Sequence, residues 1–218
     1  MSAESPSRES KAVVFVVDDD LSVREALERL LRAVGWKVQT FPSAQAFLAH
    51  RKENIPSCLV LDVALPGLSG LDLQKRILEG NREIPIVFIT AHEDVPTSVR
   101  AMKAGAVEFL VKPFSEGDLL DAIQQAIKRD ESARYQQVQM EDLYSRYESL
   151  TQRQREVMER VVSGLLNKQV AAELGVSEIT VKVQRAQIMH KMRAGSLTDL
   201  VRMHDKLRSW AARRHKVW

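Results

Sequence analysis

Cys58-Leu-Val-Leu-Asp-Val-Ala-Leu-Pro-Gly-Leu-Ser-Gly-Leu-Asp-Leu73 is the stretch on which the fold turns. The apolar run Cys58 to Leu61 is too short for a core helix and is followed by Pro66-Gly67 and Ser69-Gly70, so it predicts a buried strand that stops at Asp62. A loop then leads into a helix from near Ser69 to Glu79. Asp62 is thereby expected at the carboxyl edge of a sheet, the rim where open α/β folds keep their chemistry. The plainer reading is a carboxylate that only caps a turn.

Working outward, Lys11-Ala-Val-Val-Phe-Val-Val17 is β-branched, lacks turn residues and runs into Asp18-Asp19-Asp20, which predicts a central strand delivering carboxylates to the same rim. Ser22-Val-Arg-Glu25 fits a capping box for a helix through Val23, Ala26, Leu27, Leu30, Leu31 and Val34, stopped by Gly35. Trp36 to Thr40 reads as a short strand and Ser43 to about His50 as a short helix. Pro85 to Thr90 is another buried strand, Val95 to Ala104 a helix closed by Gly105, and Phe109 to Val111 a last strand ending at Lys112-Pro113. Ser115 caps a long helix through Leu119, Leu120, Ile123 and Ile127. Five strands alternating with five helices specify a parallel sheet covered on both faces.

Asp18/Asp19, Asp62, Thr90 and Lys112 each follow a predicted strand directly, so all should crowd one rim. Carboxylates this close repel unless a cation joins them, and an oxygen-only donor set suits Mg²⁺, with Mn²⁺ as its substitute. Lys112 and the metal would neutralise an incoming phosphoryl group, Thr90 would hydrogen-bond it, and Asp62 would be its acceptor.

These residues resemble a known family. Val-Asp18-Asp19, Leu-Asp62 with Pro66-Gly67 and Ser69-Gly70, Ile-Thr90-Ala91 and Val-Lys112-Pro113-Phe114 are similar to the receiver domain of two-component response regulators over residues 11 to 130. The resemblance implies a flavodoxin-like fold with strand order 2-1-3-4-5 and phosphorylation of Asp62 by a sensor histidine kinase. It also implies Mg²⁺ held by Asp19, Asp62 and the Ala64 carbonyl with Asp18 assisting, a cis peptide before Pro113, and Phe109 as the aromatic that moves inward with Thr90. Ala91-His-Glu-Asp94 departs from the Gly-His-Gly-Asp of similar receivers.

No Gly or Pro occurs between Asp118 and Ser163, so a helical linker is expected over 131 to 147. Its apolar residues thin out and return as Tyr135, Val138, Leu143, Tyr144 and Tyr147. Beyond it, Thr151 caps a helix with Val157, Met158, Val161 and Val162 inward. Asn167 is read as the cap of a helix over Lys168 to Leu174, Gly175-Val-Ser177 turns, and a longer helix runs from Glu178 to about Arg193. Two helices joined by a tight glycine turn are a helix-turn-helix, whose second helix enters the major groove. Val181, Ile188 and Met192 share the inner face. Val183 and Lys182 point outward, suited to thymine methyls and base edges, and Arg185, Lys191 and Arg193 are expected to be free for DNA. A fourth helix begins near Ser196. Leu150-Thr-x-Arg-Gln/Arg-Glu-Val, Asn167-Lys-x-Val-Ala171, Gly175-Val-Ser-x-x-Thr-Val-Lys182 and Lys191-Met resemble the LuxR-type DNA-binding domain over 148 to 210. That resemblance implies base contacts by Lys182, Val183 and Ala186 and backbone contacts by Arg185 and Lys191. With both halves, the chain is similar to FixJ/NarL response regulators, which implies a phosphorylation-dependent homodimer, promoter half-sites and RNA polymerase as partners.

Composition agrees. The chain has 218 residues, 44% hydrophobic and 28% charged, as in ordinary globular proteins. Residues 1 to 130 carry 16 Lys+Arg against 19 Asp+Glu, whereas 131 to 218 carry 16 against 10, so the basic half is the one suited to nucleic acid. One cysteine, Cys58, rules out an internal disulfide. With no apolar run long enough for a bilayer, and a polar start at residues 1 to 10 expected to be disordered, a cytoplasmic protein without a membrane partner is expected. A basic tail over 211 to 218 is expected to fray. Two rivals compete: an Asp18-x-Asp20 phosphatase with Asp20 as acid/base, and a receiver that regulates a protein partner instead of DNA.

Overall fold

The computed structural model describes residues 12–51, 54–80, 84–91 and 94–214, and it divides into two compact units, one ending at Arg134 and one beginning at Tyr135. The expected disorder of residues 1 to 10, the strand start at Lys11, the His92-Glu93 part of the Ala91 to Asp94 loop and the last four residues of the basic tail lie outside the described residues.

The first unit holds β1 (Val13–Val17), α1 (Leu21–Ala33), β2 (Lys37–Phe41), α2 (Ala44–Ala49), β3 (Ser57–Asp62), α3 (Gly70–Glu79), β4 (Ile86–Thr90), α4 (Val95–Lys103), β5 (Glu108–Val111) and the part of α5 (Glu116–Glu148) up to Arg134. The strands form one parallel sheet in the order β2-β1-β3-β4-β5, the flavodoxin-like order expected. Because side chains alternate across a strand, β1 and β3 feed two cores at once. Val14, Val16, Cys58 and Val60 pack with Leu27 and Leu31 of α1 and with Leu119 and Ile123 of α5. Val13, Phe15, Leu59 and Leu61 pack on the other face with Phe47 of α2 and with Leu73 and Ile77 of α3. β1 and β3 are buried along their whole length, so their carboxyl ends are held by packing on both sides.

α5 is fastened to the far end of β3. The buried carboxylate of Asp130 accepts the Ser57 amide at 2.7 Å and Arg134 Nε at 2.7 Å, while Arg134 Nη1 reaches Asn54 Oδ1 at 2.8 Å. Beyond that point α5 exposes Tyr135 and Val138 and continues as helix to Glu148.

The second unit adds α6 (Gln152–Val162), α7 (Asn167–Leu174), α8 (Glu178–Met192) and α9 (Leu197–Arg214), so the first residues of the basic tail are helical. Val157, Met158, Val161, Val170, Val181, Ile188, Met192 and Leu200 make its core. Thr151 and Gln154 form a reciprocal capping box at the start of α6. Gly175, at φ +65°, ends α7 in the left-handed conformation that glycine adopts without strain, and Ser177 caps α8 at once.

Two caps differ from expectation. Asp20, not Ser22, caps α1: its Oδ1 accepts from Ser22 N at 2.7 Å and from Val23 N at 3.4 Å. A carboxylate is a strong cap and also meets the helix dipole favourably, so the helix starts earlier and Ser22 lies inside it. Asn167 is likewise the first residue of α7 and not its cap. Leu166 is the cap residue: its carbonyl accepts the Gln169 and Val170 amides at 2.9 and 3.0 Å, its own amide donates to Gln169 Oε1 at 2.8 Å, and the Asn167 side chain is used elsewhere. Among the described residues, no helix is long and apolar enough to cross a membrane.

Candidate functional site

The strand ends converge as the register requires. Val17 pairs with Leu61, Asp62 with Ile89, and Thr90 with Val111, so Asp18, Asp62, Thr90 and Lys112 all sit on one rim. Lys112 joins them: its Nζ donates to Asp18 Oδ2 at 2.8 Å and to Asp62 Oδ1 at 3.1 Å, and its backbone N–H donates to the Thr90 carbonyl at 2.7 Å. The Lys112–Pro113 peptide is cis.

Each carboxylate has a second anchor. Asp62 Oδ2 accepts the Ala64 amide at 2.6 Å and Asp18 Oδ1 accepts the Asp20 amide at 2.9 Å. Arg24 Nη1 draws in the carbonyls of Asp18 and Asp19 at 2.7 and 2.9 Å, which fixes the acidic loop from below. Gly70 is fitted against the same strand end. Its N–H donates to the Val63 carbonyl at 3.0 Å, and a Cβ on it would collide with the Asp62 carbonyl oxygen.

Electrostatics make the site hungry for positive charge. Burial raises the Asp62 carboxyl above its ordinary value, Asp18 adds to this, and the Lys112 ammonium offsets it only in part. Burial pulls Lys112 down, but its bonds to Asp18 and Asp62 outweigh that and leave it raised. One ammonium therefore faces two buried carboxylates, with Asp19 exposed alongside. Among the described residues, no three His, Cys, Asp or Glu side chains converge closely enough to cage a metal unaided. Mg²⁺ does not need such a cage, because it keeps several waters and binds through one or two carboxylates. Asp18 and Asp62, brought to a common point and short of one positive charge, fit that requirement.

Thr90 is buried, and Phe109 is half-buried with its ring 6.1 Å from that of Phe88. Asp20 Oδ1 caps α1 and the residue is exposed, whereas Asp62, to which the Asp18-x-Asp20 phosphatase reading gives no role, is the buried carboxylate that shares Lys112 with Asp18.

In the second unit α8 presents Lys182, Val183 and Ala186 to solvent, with Lys182 Nζ 3.7 Å from Glu178 Oε1. Arg185 and Lys191 are not free, contrary to expectation. Arg185 Nη1 donates to Asn167 Oδ1 at 3.0 Å. Lys191 Nζ donates to the Ser149 carbonyl at 2.8 Å and to Gln154 Oε1 at 2.9 Å. Both long cations find acceptors on neighbouring elements of their own unit, which sequence spacing along α8 alone does not reveal. Arg193, the α8 C-cap at φ +54°, is exposed.

Residues 14–124 match the family model for the response regulator receiver domain, and residues 148–204 match that for bacterial regulatory proteins of the luxR family. The chain belongs to the FixJ/NarL response regulators. It is 53% identical over 198 residues to nodulation protein W of Bradyrhizobium diazoefficiens, covering 91% of this regulator and 87% of that protein. It is 42% identical over 194 residues to the transcriptional regulatory protein FixJ of the same organism, covering 89% and 95%. The solved structure of the response regulator StyR is 50% identical and covers 90% of this regulator and all of that chain, with a TM-score of 0.81. This is a two-component DNA-binding response regulator, with a receiver and a LuxR-type output domain.

Arg24 and Gln154 brace the two sites, and Asp130 anchors the strand that carries Asp62. Arg24 carries a faint signal in the sequence, as a cation in the first turn after an acidic loop. Gln154 carries one as the fourth residue of a capping box, and the structure buries it. Asp130 carries none, since its partner Ser57 is 73 positions away.

Proposed function

We propose that Asp62 accepts a phosphoryl group from a phosphohistidine of a sensor kinase: the phosphorus–nitrogen bond breaks as a carboxylate oxygen of Asp62 bonds to phosphorus. The observation that carries this is Lys112 Nζ, held between Asp18 and Asp62 where a phosphoryl oxygen would need a cation. Mg²⁺ would be held by Asp18, Asp19 and Asp62 with the Ala64 carbonyl, and would supply charge neutralisation for the incoming group. Lys112 then exchanges a carboxylate for a phosphoryl oxygen, and the Thr90 hydroxyl donates to another. As Thr90 is drawn toward Asp62, Phe109 turns inward against Phe88 and the face of α4 and β5 is reshaped for pairing with a second copy. Val95, Val99 and Met102, one turn apart on α4 and exposed, give that face the apolar surface a pairing contact needs.

Pairing places two α8 helices at two promoter half-sites, because one such module buries too little surface for operator selectivity. Lys182, Val183 and Ala186 contact bases. Arg185, braced by Asn167, and Lys191, braced by Gln154, present charge to the phosphate backbone, and bound dimers contact RNA polymerase. In this reading residues 11 to 130 are the receiver, 131 to 147 the helical linker and 148 to 210 the DNA-binding domain, and no reaction is catalysed on an outside substrate. A footprint on genomic fragments with and without acetyl phosphate and Mg²⁺ tests it. Protection that appears or sharpens only with the phosphodonor supports the proposal, and protection indifferent to it, or none, overturns it.

A further inference from the structure

α8 is apolar on two opposite sides. Val181, Ile188 and Met192 are buried in the core of the second unit. At 3.6 residues per turn, Ile179, Val183 and Ala186 fall on the side facing away from them. Ile179 is 74% exposed and Val183 50%, although the outer face of a surface helix is ordinarily polar. Ile179 is the second residue of α8, and the N-terminal residues of the second helix of a helix-turn-helix are the ones that meet base edges. An uncovered isoleucine there has no packing role to explain it.

The charges around this seam select its occupant. Exposed Lys182 flanks it on one side and Arg193 follows at the end of α8, while Arg185 is held by Asn167 beside it. Cations along one margin of an apolar strip match a major groove, where a phosphate ridge borders base edges. The apolar group exposed on those edges is the 5-methyl of thymine. A cytosine or guanine edge against Ile179 would instead lose water without gaining a hydrogen-bond partner.

We propose that Ile179 is a specificity-determining residue, which packs against a thymine methyl one helical turn before the contact made by Val183. This rests on the DNA-binding reading above and adds a residue and a base preference to it. The test uses the full-length chain treated with acetyl phosphate and Mg²⁺. Duplexes are selected by the protein from a random pool, and the thymines of the selected site are replaced one at a time by deoxyuridine, which lacks only the methyl. The expected result is a thymine at a fixed position of each half-site whose replacement weakens binding by the wild-type chain about fourfold. Ile179→Ala weakens binding to the thymine site by a similar factor, shows no further loss with deoxyuridine, and keeps its affinity for unrelated duplex. The deoxyuridine arm needs no change in the protein. The inference is overturned if Ile179→Ala retains wild-type affinity and thymine preference, or if deoxyuridine costs both proteins equally. If the wild-type chain selects no sequence at all, the DNA-binding reading fails and this inference with it.

Discussion

Replacing Gly70 by alanine adds one methyl group at the junction of β3 and α3, and the surroundings of that methyl make the cost calculable. Its Cβ would lie 3.1 Å from Val63 Cα and 3.2 Å from the Asp62 carbonyl carbon, and closer still to the Asp62 carbonyl oxygen. All three are backbone atoms, so no side-chain rotation relieves the overlap. Sliding α3 outward would break the Gly70 N–H bond to the Val63 carbonyl, and the alternative is to move Asp62 itself. Overpacking of this kind costs about 1 to 3 kcal/mol. In hydrogen exchange of the full-length chain, about 2 kcal/mol appears as roughly 30-fold faster exchange of the β3 amides. Displacement of the acceptor should also slow labelling by acetyl phosphate about tenfold or more, since an error near 1 Å in a reacting group can cost about 100-fold. Gly117→Ala is the internal control. Its Cβ meets nothing nearer than Ser115 Oγ at 3.7 Å in the exposed first turn of α5, and alanine is favoured over glycine in a helix by up to about 1 kcal/mol. That variant should exchange no faster than wild type. Gly70→Ala with β3 exchange and labelling rates within about twofold of wild type would refute the reasoning.

Asp130→Ala leaves the Ser57 amide and the Arg134 guanidinium without their buried acceptor, and should destabilise the receiver by about 2 to 3 kcal/mol, read as faster exchange in β3 and around residues 128 to 134 of α5. Asp62→Asn removes a carboxyl whose folded pKa lies above its ordinary value of 3.8. As pH rises from about 4, the unfolded chain releases this proton before the folded one, so wild type loses stability relative to the variant until the raised pKa is passed. Receiver melting temperatures across pH 4 to 8 should diverge in favour of Asp62→Asn and then level, and a gap that shrinks as pH rises would contradict the burial argument. Lys182→Ala should cost about 1 to 3 kcal/mol at one base pair and relax selectivity there. Lys191→Ala should weaken all duplexes alike and also lower the melting temperature of the second unit, because its ammonium ties α8 to Ser149 and Gln154.

What could be read in the chain beforehand was local. β-branched runs punctuated by Asp, Pro and Gly mark the strand ends, and once the strands are parallel the residues after them must share a rim. Strand bounds shifted by single residues, as at β2, because alternation along a half-exposed edge strand is weak. Competing caps were harder: Asp20 and Ser22 are both good N-caps two residues apart, and only the course of the backbone decides between them. The contacts that escaped reading are those set by how elements cross. Lysine and arginine on an exposed helix look solvated, so the bracing of Arg185 by Asn167 and of Lys191 by Gln154 needed the helices in place. The Asp130 clamp joins the start of one strand to the far end of the last receiver helix, and nothing in the spacing of either announces the other. Ile179 was visible all along, but its significance depends on knowing which side of α8 the core occupies.

Peptide mass spectrometry of the full-length chain after acetyl phosphate and Mg²⁺, with acyl phosphates trapped by borohydride reduction, goes most directly to the claim that Lys112, Asp18 and Asp62 form a phosphoryl-accepting site. The modification is predicted on Asp62 alone and is absent from Asp62→Asn. A label on Asp18, Asp19 or any other residue, or no label while Mg²⁺ is present, would contradict it.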